Sequence, residues 1–117
     1  MLALGLSACS WLRPALPERE LEVLATAYNS VRGQTDASPD TTAFGIRLRP
    51  GMKIVAVSRD LEQLGLREGV RVWIDGVDGE WRVGDRMHPR WQRKIDLYMG
   101  EDVSAAKRWG KRRVKIR

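Results

Sequence analysis

Val83-Gly84-Asp85-Arg86 and Ile95-Asp96-Leu97-Tyr98 are the two stretches that decide how this chain folds. In the second, an aspartate stands between two aliphatic residues inside a strand-like alternation. A carboxylate in that setting must reach solvent, a hydrogen-bond donor or a cleft, because burying it bare is prohibitively costly. With a side-chain period of two, Asp96 and Tyr98 share one face while Ile95 and Leu97 share the other. In the first stretch Asp85 closes a strand, and Asp60 follows a third strand ending at Val57.

Outward from these two stretches the chain reads as short strands. Leu21-Glu-Val-Leu-Ala-Thr-Ala-Tyr28 alternates, whereas Asn29 to Asp40 is rich in loop formers. Ile46-Arg47-Leu48 alternates again before the Pro50-Gly51 turn, and Lys53 to Val57 is apolar enough for a strand buried on both faces. Ser58 to Glu62 offers a cap and one helical turn, stopped at Gly65. Val70 to Ile74 and Glu80 to Val83 flank Asp75-Gly-Val-Asp-Gly79 as a hairpin. Asp102 can cap a short helix that Gly110 ends, and Lys111 to Arg117 closes as a strand with Val114 and Ile116 inward. Six or seven short strands, two small helices and no long crossover exclude a doubly wound α/β sheet. They predict an all-β fold, a closed or partly closed barrel.

The 117 residues suffice for one domain, and 43% hydrophobic with 31% charged residues is ordinary for a globular chain. The net charge of +6 favours polyanions without selecting one. Five of the eight aromatic residues are Trp, a bias that suits sugar-stacking surfaces as well as half-buried packing. One histidine and one cysteine rule out a His-Cys metal cluster, and no phosphate loop or nucleophile elbow is present. No cofactor or metal is expected.

Cys9 ends the run Leu6-Ser7-Ala8-Cys9, which resembles the lipobox of bacterial lipoproteins. The expected organisation is a truncated lipoprotein-type signal over 1–9, a tether over 10–20 and a domain over 21–117. The run is too short to span a bilayer and lacks a basic lead, so the true start is expected to lie upstream of Met1 or at another position. A lipid on Cys9 would hold the domain at the membrane of the cell envelope, in the periplasm.

The order Thr26-Ala-Tyr28, Thr42-Ala-Phe-Gly45, Ile54-Val-Ala-Val57, Leu64-Gly65, Val72-Trp-Ile74, Val83-Gly-Asp85, Ile95-Asp96-Leu-Tyr98, Ala105-Ala106 and Trp109-Gly110 resembles the Asp-Asp-Asp (3D) domain. That domain is a six-stranded double-psi β-barrel, related to membrane-bound lytic transglycosylase A and similar to rare lipoprotein A. The resemblance implies a monomeric peptidoglycan-active protein, with Asp96 as general acid and Asp85 in support. It implies substrate contacts from Thr26, Tyr28, Thr42, Asp60, Arg86, Trp91 and Tyr98. Two positions depart from the family pattern. Ser58 stands where the first aspartate belongs, and the basic loop Arg86-Met-His-Pro-Arg-Trp-Gln-Arg-Lys94 replaces a glycine-rich one.

A lytic transglycosylase needs one carboxyl group, protonated near neutral pH by burial and by a neighbouring carboxylate. Arg86, Arg90 or Arg93 within about 4–6 Å of Asp96 would hold it ionised and oppose that role. Two alternatives stand beside catalysis. One is a non-catalytic wall-binding lipoprotein of the same fold. The other is a basic nucleic-acid-binding module, which lacks a recognition helix or aromatic platform.

Overall fold

The computed structural model describes residues 19–30 and 41–117. Cys9, the signal-like run and the tether up to residue 18 lie outside the described residues, as does most of the loop before Thr41.

Six strands form one mixed sheet: β1 (Leu21–Tyr28), β2 (Ile54–Val57), β3 (Arg71–Val72), β4 (Trp81–Arg86), β5 (Lys94–Tyr98) and β6 (Arg112–Ile116). Two short helices, α1 (Arg59–Gln63) and α2 (Val103–Trp109), interrupt them. The spatial order is β3-β4-β2-β5-β1-β6. Two of the neighbour pairs, β1 with β5 and β2 with β4, are parallel, and the others are antiparallel. The sheet curls until its edges meet. Just past β3, Trp73 exchanges backbone hydrogen bonds with Arg117, and Asp75 N–H donates to the Lys115 carbonyl. The all-β barrel expected from the sequence is therefore the observed architecture.

Alternation decides which side chains fill the barrel. Val23 and Ala25 of β1, Val55 and Val57 of β2, Val83 of β4, Ile95 and Leu97 of β5, and Val114 and Ile116 of β6 form its core with Leu61, Trp81 and Trp109. All four residues of β2 are buried, because the segment around Leu48 and Met52 covers its outer face. Two of the five Trp residues, Trp81 and Trp109, are core residues, while Trp73 is 43% exposed.

Several local expectations need correction. Ile46 to Leu48 is not a strand; its backbone makes one isolated bridge, Thr41 to Arg47. The strand expected over Val70 to Ile74 pairs with β4 only at Arg71 and Val72, and Ile74 bridges to Ile116 to help close the barrel. Ser58 occupies the N-cap position of α1 but makes no side-chain cap bond. Its fully buried hydroxyl accepts from the Lys94 N–H at 3.0 Å, tying β2 to the start of β5. Asp102 does cap α2, accepting from Ala105 N–H at 2.9 Å.

Candidate active site

The site is a lateral row on the outer face of the sheet. Pairing places Ala56 opposite Asp85 in β4 and opposite Asp96 in β5, and Asp96 opposite Thr26 in β1. Residues paired across neighbouring strands point to the same face. The row therefore reads Asp85, Ala56, Asp96, Thr26, with the small Ala56 as its floor.

A β-bulge puts Asp85 into that row. Val55 pairs with Val83, but the next residue, Ala56, pairs with Asp85, so Gly84 is the extra residue. Without the bulge, Asp85 would follow Trp81 and Val83 to the barrel interior. One inserted residue reverses the direction of the next side chain. Only glycine fits there, because a Cβ at position 84 would lie 2.8 Å from Ile54 Cγ2 and 3.0 Å from Ile46 Cδ1.

Each carboxylate is held differently. Asp85 Oδ1 accepts from Ala43 N–H and Arg86 N–H, both at 2.8 Å, and Oδ2 accepts from the Tyr28 hydroxyl at 3.4 Å. Asp85 thus ties the segment at Ala43 to β4. Asp96 makes one side-chain bond: the Thr26 hydroxyl donates to Oδ1 at 2.9 Å. Its Oδ2 has no hydrogen-bond partner among the described residues. Burial pushes the Asp96 pKa up to about 6; Thr26 and the Lys94 ammonium pull it down, and Asp85 adds to the rise. Tyr28 is raised by burial and by the two carboxylates, so its phenol remains a donor. It reaches across β5 and β2 to Asp85, with the Tyr98 ring 5.6 Å away, centroid to centroid. Tyr98 is itself buried, its hydroxyl sharing a 2.7 Å hydrogen bond with Ser30.

No family model and no curated protein matches the chain. Among solved structures, the crystal structure of the apo expansin of Clavibacter michiganensis is similar, with a TM-score of 0.56 at 20% identity. The superposition covers 85% of this chain and 50% of that one, so the chain spans half the length of the solved protein. The fold is an expansin-like double-psi β-barrel.

Within this barrel the residues singled out from the sequence fall into two groups. Thr26, Tyr28, Asp85, Asp96 and Tyr98 come together on the outer face. Thr42 lies beside them as a turn-former, its buried hydroxyl oxygen accepting from Phe44 N–H and Ile46 N–H at 3.2 and 3.1 Å. Asp60, Arg86 and Trp91 have other engagements. Asp60 accepts from Arg93 N–H at 3.0 Å, holding Arg93 at a φ of 51°. That bond offsets the strain of a left-handed non-glycine residue at the entrance to β5. Arg86 is bound by Glu62 through two bonds of 2.6 and 3.0 Å and lies over the Phe44 ring. Trp91 covers the Lys94 ammonium, 3.4 Å from its ring centroid.

The arginines expected to endanger the acid are thus placed elsewhere: Arg86 on Glu62, Arg90 on the Trp91 ring, Arg93 on the Glu22 carbonyl. The cation that acts on Asp96 is Lys94, which the sequence reading passed over. Its signal was present in Lys94-Ile-Asp96, since residues two apart in a strand share a face.

Proposed function

We propose that this chain is a peptidoglycan-active protein of the cell envelope, in which Asp96 is the general acid and base of a lytic transglycosylase-type cleavage. The observation that carries the reading is a half-buried carboxyl with its pKa raised to about 6, braced on one oxygen by Thr26, the other oxygen having no hydrogen-bond partner among the described residues. An acid with that pKa is protonated in about a tenth of molecules at pH 7 and in half near pH 6. The fold likeness to an expansin supports a cell-wall polysaccharide as the partner.

In this mechanism Oδ2 of Asp96 gives its proton to the glycosidic oxygen as the bond from that oxygen to the sugar C1 breaks. The 6-hydroxyl of the same sugar attacks C1, forming the 1,6-anhydro ring, and its proton passes to Asp96. The carboxyl group is restored without water, so no second carboxylate at hydrolase spacing is needed. Thr26 fixes the carboxyl rotamer. Asp85 ties the Ala43 segment and the Tyr28 hydroxyl together in the same row, and its negative charge helps keep the proton on Asp96. Lipid anchoring through Cys9 would keep the domain beside its polymer.

A second reading has its own support. Ser58, at the position of the family's first aspartate, is buried and committed to the Lys94 backbone, so it adds no group to the cleft. A barrel short of that acid suits a wall-binding protein without cleavage.

Digestion of purified sacculi separates the two. The transglycosylase releases 1,6-anhydro-muropeptides, detected by mass spectrometry, and Asp96→Asn abolishes them. Sacculus pull-down with no anhydro product from the wild type leaves only the binder.

A further inference from the structure

The two exposed large hydrophobic residues among those described, Leu64 at 47% and Trp73 at 43%, belong to one feature. Both line a groove of about 600 Å³ beside the seam where the sheet edges meet, floored by Leu21, Leu66, Val70 and Ile116. Arg19, Arg71 and Arg117 supply the charged side chains of the lining, and no carboxylate side chain contributes to it. Glu80, outside the groove, lies 3.6 Å from both Arg71 and Arg82, so one carboxylate is divided between two guanidinium groups. The rim keeps an excess of positive charge.

An apolar trough with a half-exposed Trp and an arginine rim has the composition that partitions into the interface of an anionic bilayer. The indole sits at headgroup depth, aliphatic side chains reach the acyl boundary, and guanidinium groups meet phosphates. Arg19 is fixed at the groove, its guanidinium donating to the Leu64 carbonyl at 3.1 Å. β1 then runs from Leu21, in the groove, to Thr26 and Tyr28 in the acidic row. At about 3.3 Å per residue the two sites are roughly 17–23 Å apart along one strand.

We infer that this groove is a membrane-docking surface that seats the barrel on anionic phospholipid and leaves the Asp96 face pointing away from the bilayer. The occupant is the lipid surface itself, engaged by Trp73 and Leu64 and by the three arginines, without any need for a covalent lipid.

Flotation of the full, unlipidated chain with vesicles tests this. The chain is expected to float with phosphatidylglycerol–phosphatidylcholine vesicles and not with phosphatidylcholine alone, with binding that weakens as salt rises. Trp73→Ala with Leu64→Ser is expected to abolish flotation, and both positions are exposed enough for the barrel to stay folded, as circular dichroism verifies. Arg71→Gln and Arg117→Gln are each expected to weaken binding about fivefold. Absence of flotation, or flotation that the Trp73/Leu64 variant retains, overturns the inference. So does self-association without vesicles, seen by sedimentation and lost in the same variant, since the groove would then be a contact between copies. Sacculus digestion is a separate readout and bears only on Asp96.

Discussion

The Thr26 hydroxyl donates to Asp96 Oδ1 at 2.9 Å, and the same two residues are direct partners in the parallel ladder of β1 and β5. The backbone register itself delivers the donor, so the carboxyl is oriented before any substrate arrives. The bond also stabilises the charged form and opposes the rise that burial imposes. Thr26→Val, which keeps the shape and removes the hydroxyl, is therefore expected to move the Asp96 midpoint above about 6. Thr26→Ser leaves it in place. Carboxyl carbon NMR titration reads both; an unmoved midpoint in Thr26→Val contradicts the assigned role of the bond.

Asp96 makes stability depend on pH with a definite sign. Its pKa is about 6 in the fold against an ordinary value of 3.8, so the folded chain holds that proton more tightly than the unfolded one. From this group, stability is greatest below about 4, falls as pH rises towards 6, and stays low above it. The full loss is about 3 kcal/mol, since each tenfold change in proton affinity corresponds to about 1.4 kcal/mol. Asp96→Asn is expected to flatten this dependence and to stabilise the barrel by about 2–3 kcal/mol at pH 8. Urea unfolding at pH 4 and pH 8 measures it. A variant less stable than wild type at pH 8 would show that the carboxylate is structural.

Replacing Asp85, by contrast, is expected to destabilise the barrel. It accepts from Ala43 N–H, Arg86 N–H and the Tyr28 hydroxyl, so Asp85→Ala removes three hydrogen bonds, two of them solvent-exposed. Water replaces an exposed partner, so the expected loss is about 1 kcal/mol. Removing its charge also lowers the Asp96 midpoint, because Asp85 contributes to the rise. Thermal unfolding together with the pH profile of sacculus digestion tests the pair of effects.

How far the sequence reveals this site depends on what each residue's signal is. The all-β barrel, the partnership of Asp96 with Tyr98 on one face and the Asp102 cap follow from period and capping, which are local properties. The bulge at Gly84 is set by Ile46 and Ile54 on other segments, so alternation alone turns Asp85 the wrong way. The arginines of the 86–94 loop look threatening as a charge count. Their placement depends on Glu62, Trp91 and the Glu22 carbonyl, partners that only the fold brings near. Ser58 reads as a helix cap until the start of β5 is seen to need its hydroxyl.

Gly84 gives a test of the bulge that involves no charge. An alanine Cβ would stand 2.8 Å from Ile54 Cγ2, inside any real contact, with Ile46 close behind. Either β2 and β4 separate or the bulge dissolves and Asp85 leaves the row. Gly84→Ala is expected to destabilise the barrel by about 1–3 kcal/mol, the usual penalty of overpacking. Ile54→Ala removes both the Cγ2 and Cδ1 atoms that crowd the new methyl, so it should cost less in the Gly84→Ala background than in the wild type, and a double-mutant cycle in urea measures the coupling.

Lys94 and the three arginines offer the sharpest contrast. Lys94 lies two residues from Asp96 on the same face, buried under Trp91, and its charge pulls the Asp96 midpoint down. Arg86, Arg90 and Arg93 direct their charge to Glu62, the Trp91 ring and the Glu22 carbonyl. Lys94→Met is therefore expected to raise the midpoint of Asp96 and carry the alkaline limb of sacculus digestion upward with it. Arg86→Gln, Arg90→Gln and Arg93→Gln should each leave that limb where it was. If one of the arginines moves it and Lys94 does not, the cation governing the acid has been misassigned, and the loop reaches over the cleft when polymer is bound.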